Sequence, residues 1–191
     1  MLSPLYSYLH TYAGISEEDF KLMKPFLEIR HFEKDVHLTE IGEVEGYVNF
    51  VKTGLIRKFF YSGKKEITTQ LAKESDLISS SVSFFTGLPS EYIIETIEPS
   101  TTISLSLDNL NRLYETGPEM ERMGRRIVAD WLVRKERWET NWTLLSPKKR
   151  FDKLVKEHFD LFSRAPQKLL ASYLSMTPET FSRYKHSMVT G

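Results

Sequence analysis

The 191-residue sequence contains no cysteine. Without a thiol it forms no disulfide, no cysteine-ligated zinc or iron–sulfur site and no cysteine nucleophile. Long apolar runs are also absent, because no stretch approaches the roughly 18 apolar residues that a membrane helix needs. Residues 1–14 show neither a basic start nor a continuous apolar core, so they do not resemble a signal peptide. These absences predict a soluble protein of the cytoplasm with no membrane partner.

The motifs of common enzymes are missing as well. The five histidines show neither His-x-His nor His-Glu-x-x-His spacing, which are typical of cupin-like metal sites and zinc peptidases. There is no glycine-rich phosphate loop and no Gly-x-Ser-x-Gly nucleophile elbow. We therefore expect a protein that is not an enzyme and that holds neither a metal nor another cofactor.

Charge is balanced over the whole chain but unevenly distributed along it. From Pro147 to Gly191 there are nine Lys and Arg against four Asp and Glu, a net charge of +5, which leaves −5 for the rest. Such asymmetry is expected where one end of a protein faces nucleic acid. A basic surface without a partner would give the same count, so charge alone leaves both interpretations open.

The hydrophobic pattern changes character along the chain. Residues 1–27 have a helical pattern, with a capping-box-like start at Ser16. From about residue 28 to 105 the chain has short alternating segments rich in β-branched and aromatic residues, separated by glycine-containing turns. Many short strands at such spacing predict a barrel or jelly roll. A helix from Ser106 to about Tyr114 and a break at Thr116-Gly117-Pro118 follow.

After this break comes a helical pattern of about 27 residues, or roughly 40 Å. Its apolar residues recur at steps of three and four, as one helix face requires. Such a helix could simply pack against the strands, but its length favours a parallel helix pair at a homodimer interface. The predicted dimer contacts are Met120, Met123, Ile127, Trp131 and Trp138.

A second group of helices is predicted at the C-terminal end. Ser146 suits an N-cap and Pro147 suits the first turn of a new helix. A helix is then predicted from Arg150 to Phe162. Its apolar face would consist of Phe151, Leu154, Val155, His158, Phe159 and Phe162. The whole chain is thus predicted to be α+β, with an N-terminal jelly-roll sensor domain, a long dimerisation helix and a C-terminal all-α domain.

The segment from Ala165 to Lys185 predicts a helix-turn-helix. Leu170, Ala171 and Leu174 form the buried face of a short helix, and Ser175-Met176 forms a tight turn. Thr177 then caps a second helix that has proline in its first turn and an acidic residue beside it. In a helix-turn-helix, the second helix enters the major groove of DNA with its N-terminal residues at the base edges.

These residues resemble the Crp–Fnr family of transcription regulators, whose recognition helix carries a Ser/Thr-x-Glu-Thr-apolar-x-Arg pattern. Thr177, Glu179, Thr180, Phe181 and Arg183 match it. The resemblance implies that the Glu and the Arg read bases, through cytosine N4 and guanine O6/N7, while Thr and Ser contact phosphate. The predicted DNA-binding residues are Gln167, Lys168, Thr177, Glu179, Thr180, Arg183 and Lys185.

The resemblance extends upstream and covers about residues 25–185. Ile41-Gly42-Glu43, Tyr47, Gly54 and Gly63-Lys64 stand where the cyclic-nucleotide-binding β-roll of the family has its turns. It implies three parts: residues 1–117 as the β-roll domain with its N-terminal helix, 118–146 as the dimer helix and 147–191 as the helix-turn-helix domain. The implied partners are a second copy of the chain, near-palindromic double-stranded DNA, RNA polymerase and a small-molecule effector.

Three departures from the family pattern favour an alternative function. Ser175 stands where the turn usually has glycine, and Pro178 stands where a base-reading arginine is frequent. The chain also stops at Gly191, so the usual C-terminal β-hairpin wing is not expected. The alternative is an effector-binding or protein-interaction module that has lost DNA binding.

The ligand cassette departs further. Family members that bind cyclic AMP have a Gly-Glu pair for the ribose and an Arg about ten residues later for the phosphate, whereas this chain has Ser79-Ser80 and Ser90. Because no arginine would pair with the phosphate, we expect neither cyclic AMP nor cyclic GMP to bind well. The serine hydroxyls could still bind another small anion, or could merely cap a short helix. The candidate effector residues are Ser79, Ser80, Ser81 and Ser90.

Overall fold

The computed structural model describes residues 2–190, with side chains through Met188. Two helices come first, α1 (Ser3–Ala13) and α2 (Glu17–Met23), followed by a 3₁₀ turn (Lys24–Phe26). The Ser16 hydroxyl accepts a hydrogen bond from the Asp19 amide at 3.0 Å, which is the cap that the sequence predicts.

The strand-rich segment forms two antiparallel sheets of four strands each. Their orders are β1-β8-β3-β6 and β2-β7-β4-β5. The strands are β1 (Glu28–Phe32), β2 (His37–Thr39), β3 (Tyr47–Thr53), β4 (Ile56–Ser62), β5 (Lys65–Ala72), β6 (Leu77–Ile78), β7 (Ile93–Thr96) and β8 (Ser100–Ser106). The β3–β4 turn requires glycine: Gly54 has φ +105°, and a Cβ there would lie 2.7 Å from the Ser100 Cα.

One helix interrupts the strands, and the others follow them. A short helix α3 (Ser81–Thr86) lies between β6 and β7, and the predicted helix after the strands is α4 (Leu107–Glu115), which follows β8. The long helix α5 (Pro118–Leu144) has 27 residues. The chain described here is therefore a mixed α/β fold with antiparallel sheets and one long helix. Among residues 2–190, no helix is both long enough and apolar enough to cross a membrane.

The C-terminal part has four further helices: α6 (Pro147–Glu157), α7 (Phe159–Arg164), α8 (Gln167–Tyr173) and α9 (Pro178–Thr190). The prediction of one helix from Arg150 to Phe162 was wrong. His158 has φ −138° and ψ 47°, which interrupts the helix and rotates the residues after it. As a result Phe159 is 60% exposed and does not share the buried face of Phe151.

Three apolar clusters hold the fold together. The largest packs α1, α2, α4 and the start of α5 against β3 and β8. A small cluster lies between the two sheets around Ile56 and Ile78. The third belongs to α6–α9 but includes Leu71 of β5 and two residues of the loops beside the strands, Leu55 and Ile97. The C-terminal helices are thus packed against the sheets through a shared core.

Candidate nucleic-acid interface

The α8–α9 pair is built around a few fully buried side chains. Leu170 and Ala171 of α8 and Phe181 of α9 are all 0% exposed. Phe151 of α6 lies under them, with its ring centroid 5.2 Å from that of Phe181. The Met176 amide donates to the Ala171 carbonyl at 3.0 Å and closes the turn between the helices. The apolar pattern predicted for this segment therefore corresponds to its buried face.

Ser175 adopts the conformation that favours glycine. Its φ of 49° lies in the left-handed region, which costs a non-glycine residue about 1 kcal/mol or more. Its hydroxyl accepts a hydrogen bond from the Trp142 indole N–H at 2.8 Å. A hydrogen bond of this kind contributes about 1 kcal/mol, so it can offset much of the strain. Trp142 thereby links α5 to the turn.

The N-terminus of α9 is capped as predicted. The Thr177 hydroxyl accepts a hydrogen bond from the Thr180 amide at 3.2 Å. Pro178 follows in the first helical position, where its missing N–H costs nothing. A hydrogen bond from Thr177 lowers the pKa of the exposed Glu179 carboxyl, which keeps it ionised at the helix N-terminus.

The predicted DNA-binding residues do not all have the same exposure. Five are exposed: Gln167, Lys168, Thr177, Glu179 and Arg183. Thr180 and Lys185 are half-buried, and the Lys185 ammonium lies 5.6 Å from the centre of the Phe162 ring. Within residues 2–188, no carboxylate lies within ion-pairing distance of Arg183, whose guanidinium rests near Tyr184.

The predicted effector serines lie inside the molecule. Ser79, Ser80 and Ser90 are at most 3% exposed, and Ser81 is half-buried. The Ser90 and Ser80 hydroxyl oxygens are 2.8 Å apart. The Lys58 ammonium donates to the Ser79 carbonyl at 3.2 Å, and burial lowers the pKa of Lys58 to about 8.

Sequence reasoning missed one member of this cluster. The buried carboxylate of Glu45 accepts a hydrogen bond from the Ser80 amide at 3.1 Å. A single acidic residue in a polar loop next to glycine is typical of an exposed turn. No local signal in the sequence marks Glu45 as buried.

The long helix α5 packs against α1 and α4 at its start and against α8 near its end. Met120 and Met123 are buried against α1 and α4 of the same chain. Trp138 stacks on Trp142 and on Tyr173 of α8, with ring centroids 4.1 and 4.5 Å away. Ile127 and Trp131 are half-buried between these regions.

The exposed apolar residues of α5 lie on another face than the one predicted to dimerise. In the middle of the helix they are Val128 at 43%, Leu132 at 56% and Val133 at 46% exposed, and Leu144 at its end is 76% exposed. Met120 and Met123 are already covered by their own chain, so a second copy cannot contact them without unpacking this core. The homodimer and its contact residues remain a prediction.

The helices α6–α9 are fixed to the sheets by polar contacts as well. The Arg164 guanidinium donates to Glu74 at 2.8 and 3.0 Å and to Glu98 at 2.9 Å, and Lys73 pairs with Asp160. On α8, the Ser172 hydroxyl accepts from the Thr68 amide and donates to the Glu66 carbonyl, both at 3.0 Å. It satisfies two backbone groups on the outer edge of β5, and this fixes α8 against that edge strand.

The order of parts, two antiparallel sheets followed by a long helix and a terminal group of helices, is the fold of Crp/Fnr-type transcription regulators. Solved structures of such regulators match it: FixK2 from Bradyrhizobium japonicum has 18% identity over 86% of this chain and 85% of its own, with a TM-score of 0.69. CLP from Xanthomonas campestris, a global regulator responsive to c-di-GMP, has 14% identity over 92% of each chain and a TM-score of 0.67.

A third similar structure is that of a candidate Crp/Fnr-family transcriptional regulator from Eubacterium rectale. It has 16% identity over 97% of this chain and 89% of its own, with a TM-score of 0.68. No protein-family model matches the sequence, and no curated protein matches it either. At these identities the likeness establishes the fold. Within the described range, no three His, Asp or Glu side chains come together as a metal site.

Proposed function

We propose that this protein is a homodimeric, DNA-binding transcription regulator of the Crp–Fnr type, with a jelly-roll sensor domain that does not bind cyclic AMP. The observation that carries the proposal is the arrangement of α9. Phe181 anchors this helix in an apolar core, while Glu179 and Arg183 near its N-terminus are exposed and form no ion pair with any other side chain of residues 2–188. A helix presented in this way can enter a DNA major groove.

In this proposal α8 and α9 form the helix-turn-helix, and α9 is the recognition helix. Arg183 has the donors to pair with guanine O6 and N7, and Glu179 has the acceptors to pair with cytosine N4. Thr177 and Thr180 contact phosphate. Pro178 contributes no donor, so fewer bases are read at the start of the helix than an arginine there would allow.

The positive charge around α8 and α9 supports sequence-independent binding to DNA. Lys168 lies on α8, and Lys148 and Lys149 lie on α6; all three are exposed. Each lysine that neutralises a phosphate releases a counterion, so binding should weaken steeply as salt is raised. The same surface would hold the protein on DNA while it searches for its site.

A homodimer through α5 would place the two recognition helices about 34 Å apart, one turn of DNA, on a near-palindromic site. The apolar face of Val128, Leu132 and Val133 is the surface available for this contact. Burying such a face on a second copy removes apolar area from water and stabilises the pair.

The test is a selection of genomic DNA fragments by the purified protein at moderate salt. The wild-type protein is expected to enrich a palindromic site, and Arg183→Ala to lose about 1–3 kcal/mol of binding and to relax specificity at one base pair per half-site. Arg112→Ala is the matched control, since Arg112 is an exposed arginine on α4. Equal binding by both variants would rule out Arg183 as a base reader.

The second candidate function is an effector-binding or protein-interaction module that has lost DNA binding. Pro178 at the first position of α9 is the observation that favours it, because a proline there cannot read a base. If the wild-type protein enriches no fragment at any salt concentration, this second function is the better account.

A further inference from the structure

Glu45 is a buried carboxylate without a cation. It lies in the loop between β2 and β3, and it is 3% exposed. Within residues 2–188, no Lys, Arg or His lies within ion-pairing distance of it. A charge in such a place is tolerated only where hydrogen bonds replace its water. Its carboxylate indeed accepts three, from the Thr39 hydroxyl at 2.8 Å and the Tyr47 and Ser80 amides at 3.0 and 3.1 Å.

The Glu45 loop is also joined to the segment from Ser80 to Ser90 through the backbone. The Glu45 amide donates to the Ser83 hydroxyl at 2.8 Å. The Gly42 amide donates to the Ser90 carbonyl at 2.8 Å, and the Ser90 amide donates to the Glu43 carbonyl at 2.7 Å. The two segments therefore run alongside each other as one unit.

These bonds use the donors that an external anion would need. The Ser80 amide donates to Glu45, and the Ser90 hydroxyl donates to the Ser80 hydroxyl, which is itself only 2% exposed. Among the described residues, the hydroxyls of Ser79 and Ser81 have no partner; Ser79 is 0% exposed, and Ser81 is half-buried at the first position of α3. The donors that face the Glu45 carboxylate are therefore all in use, whereas the Ser81 hydroxyl lies outside this set.

A positive charge lies near the same cluster. Lys58 reaches it from β4, with its ammonium on the Ser79 carbonyl, and is half-buried. Lys58 acts on Glu45 only from beyond ion-pairing distance. Adding an anion here would leave an uncompensated charge in a region of low dielectric, which is unfavourable.

We propose that Glu45 is an internal ligand, whose carboxylate occupies the place in the sensor segment where a small anionic effector would bind. The proposal rests on the proposed function only in calling this region a sensor. It makes two statements that can be measured without DNA. In wild type the position of the Glu45 carboxylate is closed to small anions, and removing that carboxylate opens a site of carboxylate size.

The experiment compares Glu45→Ala with wild type in the full chain, titrated with sodium acetate against sodium chloride at equal ionic strength. Glu45→Ala leaves the Ser80 and Tyr47 amides unpaired, so it should unfold at a lower temperature. Acetate should restore about 3 °C or more of that loss in a saturable way and leave wild type unchanged. Glu43→Ala, which removes an exposed carboxylate two residues away, is the control and should not respond.

A second measurement does not depend on the variant folding. In ¹⁵N NMR spectra of the wild-type protein, the amide signals of Ser80 and Tyr47 should stay unchanged when acetate or phosphate is added. Saturable shifts at these two amides in wild type would overturn the proposal, as would an acetate response of Glu45→Ala no larger than that of Glu43→Ala. A failure of DNA binding would leave both readouts untouched.

Discussion

The sheet half of the molecule and its C-terminal helices bury different kinds of side chain. Among residues 2–188, every buried polar side chain lies between Thr39 and Ser104, and Glu45, Asn49 and Arg57 are examples. The buried side chains of α6–α9 are all apolar. Most of these buried polar side chains are hydrogen-bonded at defined distances, so the sheet half is specified largely by a polar network. The helices are specified by an apolar face, which is a less demanding requirement.

The comparison also shows that the helices depend on the sheets. Leu55, Leu71 and Ile97 belong to the sheet half but lie in the same apolar cluster as Phe151 and Phe181. The orientation of the proposed recognition helix is therefore set by the sheet surface on which α6–α9 rest. Substitutions in three places test how strongly each half contributes to stability and assembly.

The largest effect is expected inside the helical core. Phe181→Ala should lower the free energy of unfolding by about 3–5 kcal/mol, because it leaves a cavity beside Phe151. Phe159→Ala is the matched control, since Phe159 belongs to the same helical group but is 60% exposed. Urea unfolding of both variants measures the difference. Equal losses would mean that this core does not hold α9.

The second-largest effect is expected on α5, the helix that packs against both the sheet half and the C-terminal helices. Leu132→Asp places a charge on the exposed middle of this helix and should weaken dimerisation by about 2 kcal/mol or more without lowering the stability of either half. Leu22→Asp on α2 is the control, because Leu22 is 55% and Leu132 is 56% exposed. Light scattering at tens of micromolar measures the mass. A wild-type protein of monomer mass under these conditions would contradict the proposed dimer.

The smallest effect is expected at the polar contacts between the halves. Burial by itself would raise the pKa of Glu74, but hydrogen bonds from Arg164 and from backbone amides outweigh it and lower the pKa below its usual 4.5. A lowered folded-state pKa gives stability that is present above the unfolded value and is lost as the pH falls through the folded value. Asp160 behaves in the same way, because its hydrogen bond from Lys73 outweighs the effect of burial.

The loss of stability between about pH 5 and pH 3 should therefore be smaller in Arg164→Ala than in wild type. At neutral pH the substitution should cost about 1 kcal/mol or less, because the charges are partly exposed and screened by water. Arg122→Ala breaks an exposed pair within α5 and serves as the control. Parallel pH profiles for wild type and Arg164→Ala would show that this contact contributes nothing to the pH dependence.

Much of the local structure could be predicted from the sequence. The caps at Ser16, Ser146 and Thr177 and the apolar face of Leu170 and Ala171 follow from residues within one or two turns of each other. Where the prediction went wrong, at Phe159, the cause was a single residue, because His158 leaves the helical region and shifts the phase of the pattern after it.

By itself, the sequence determined the order of the helix-rich and strand-rich segments, the capped turn before α9 and the departures at Ser175 and Pro178, since each depends on neighbouring residues. Only the tertiary structure decided that Met120 and Met123 face their own chain, that Glu45 is buried and that α8 covers the edge of β5. The reason is physical. Burial and polar pairing depend on which distant segments meet, and the Ser172–Glu66 and Glu45–Ser80 contacts join residues far apart in the chain.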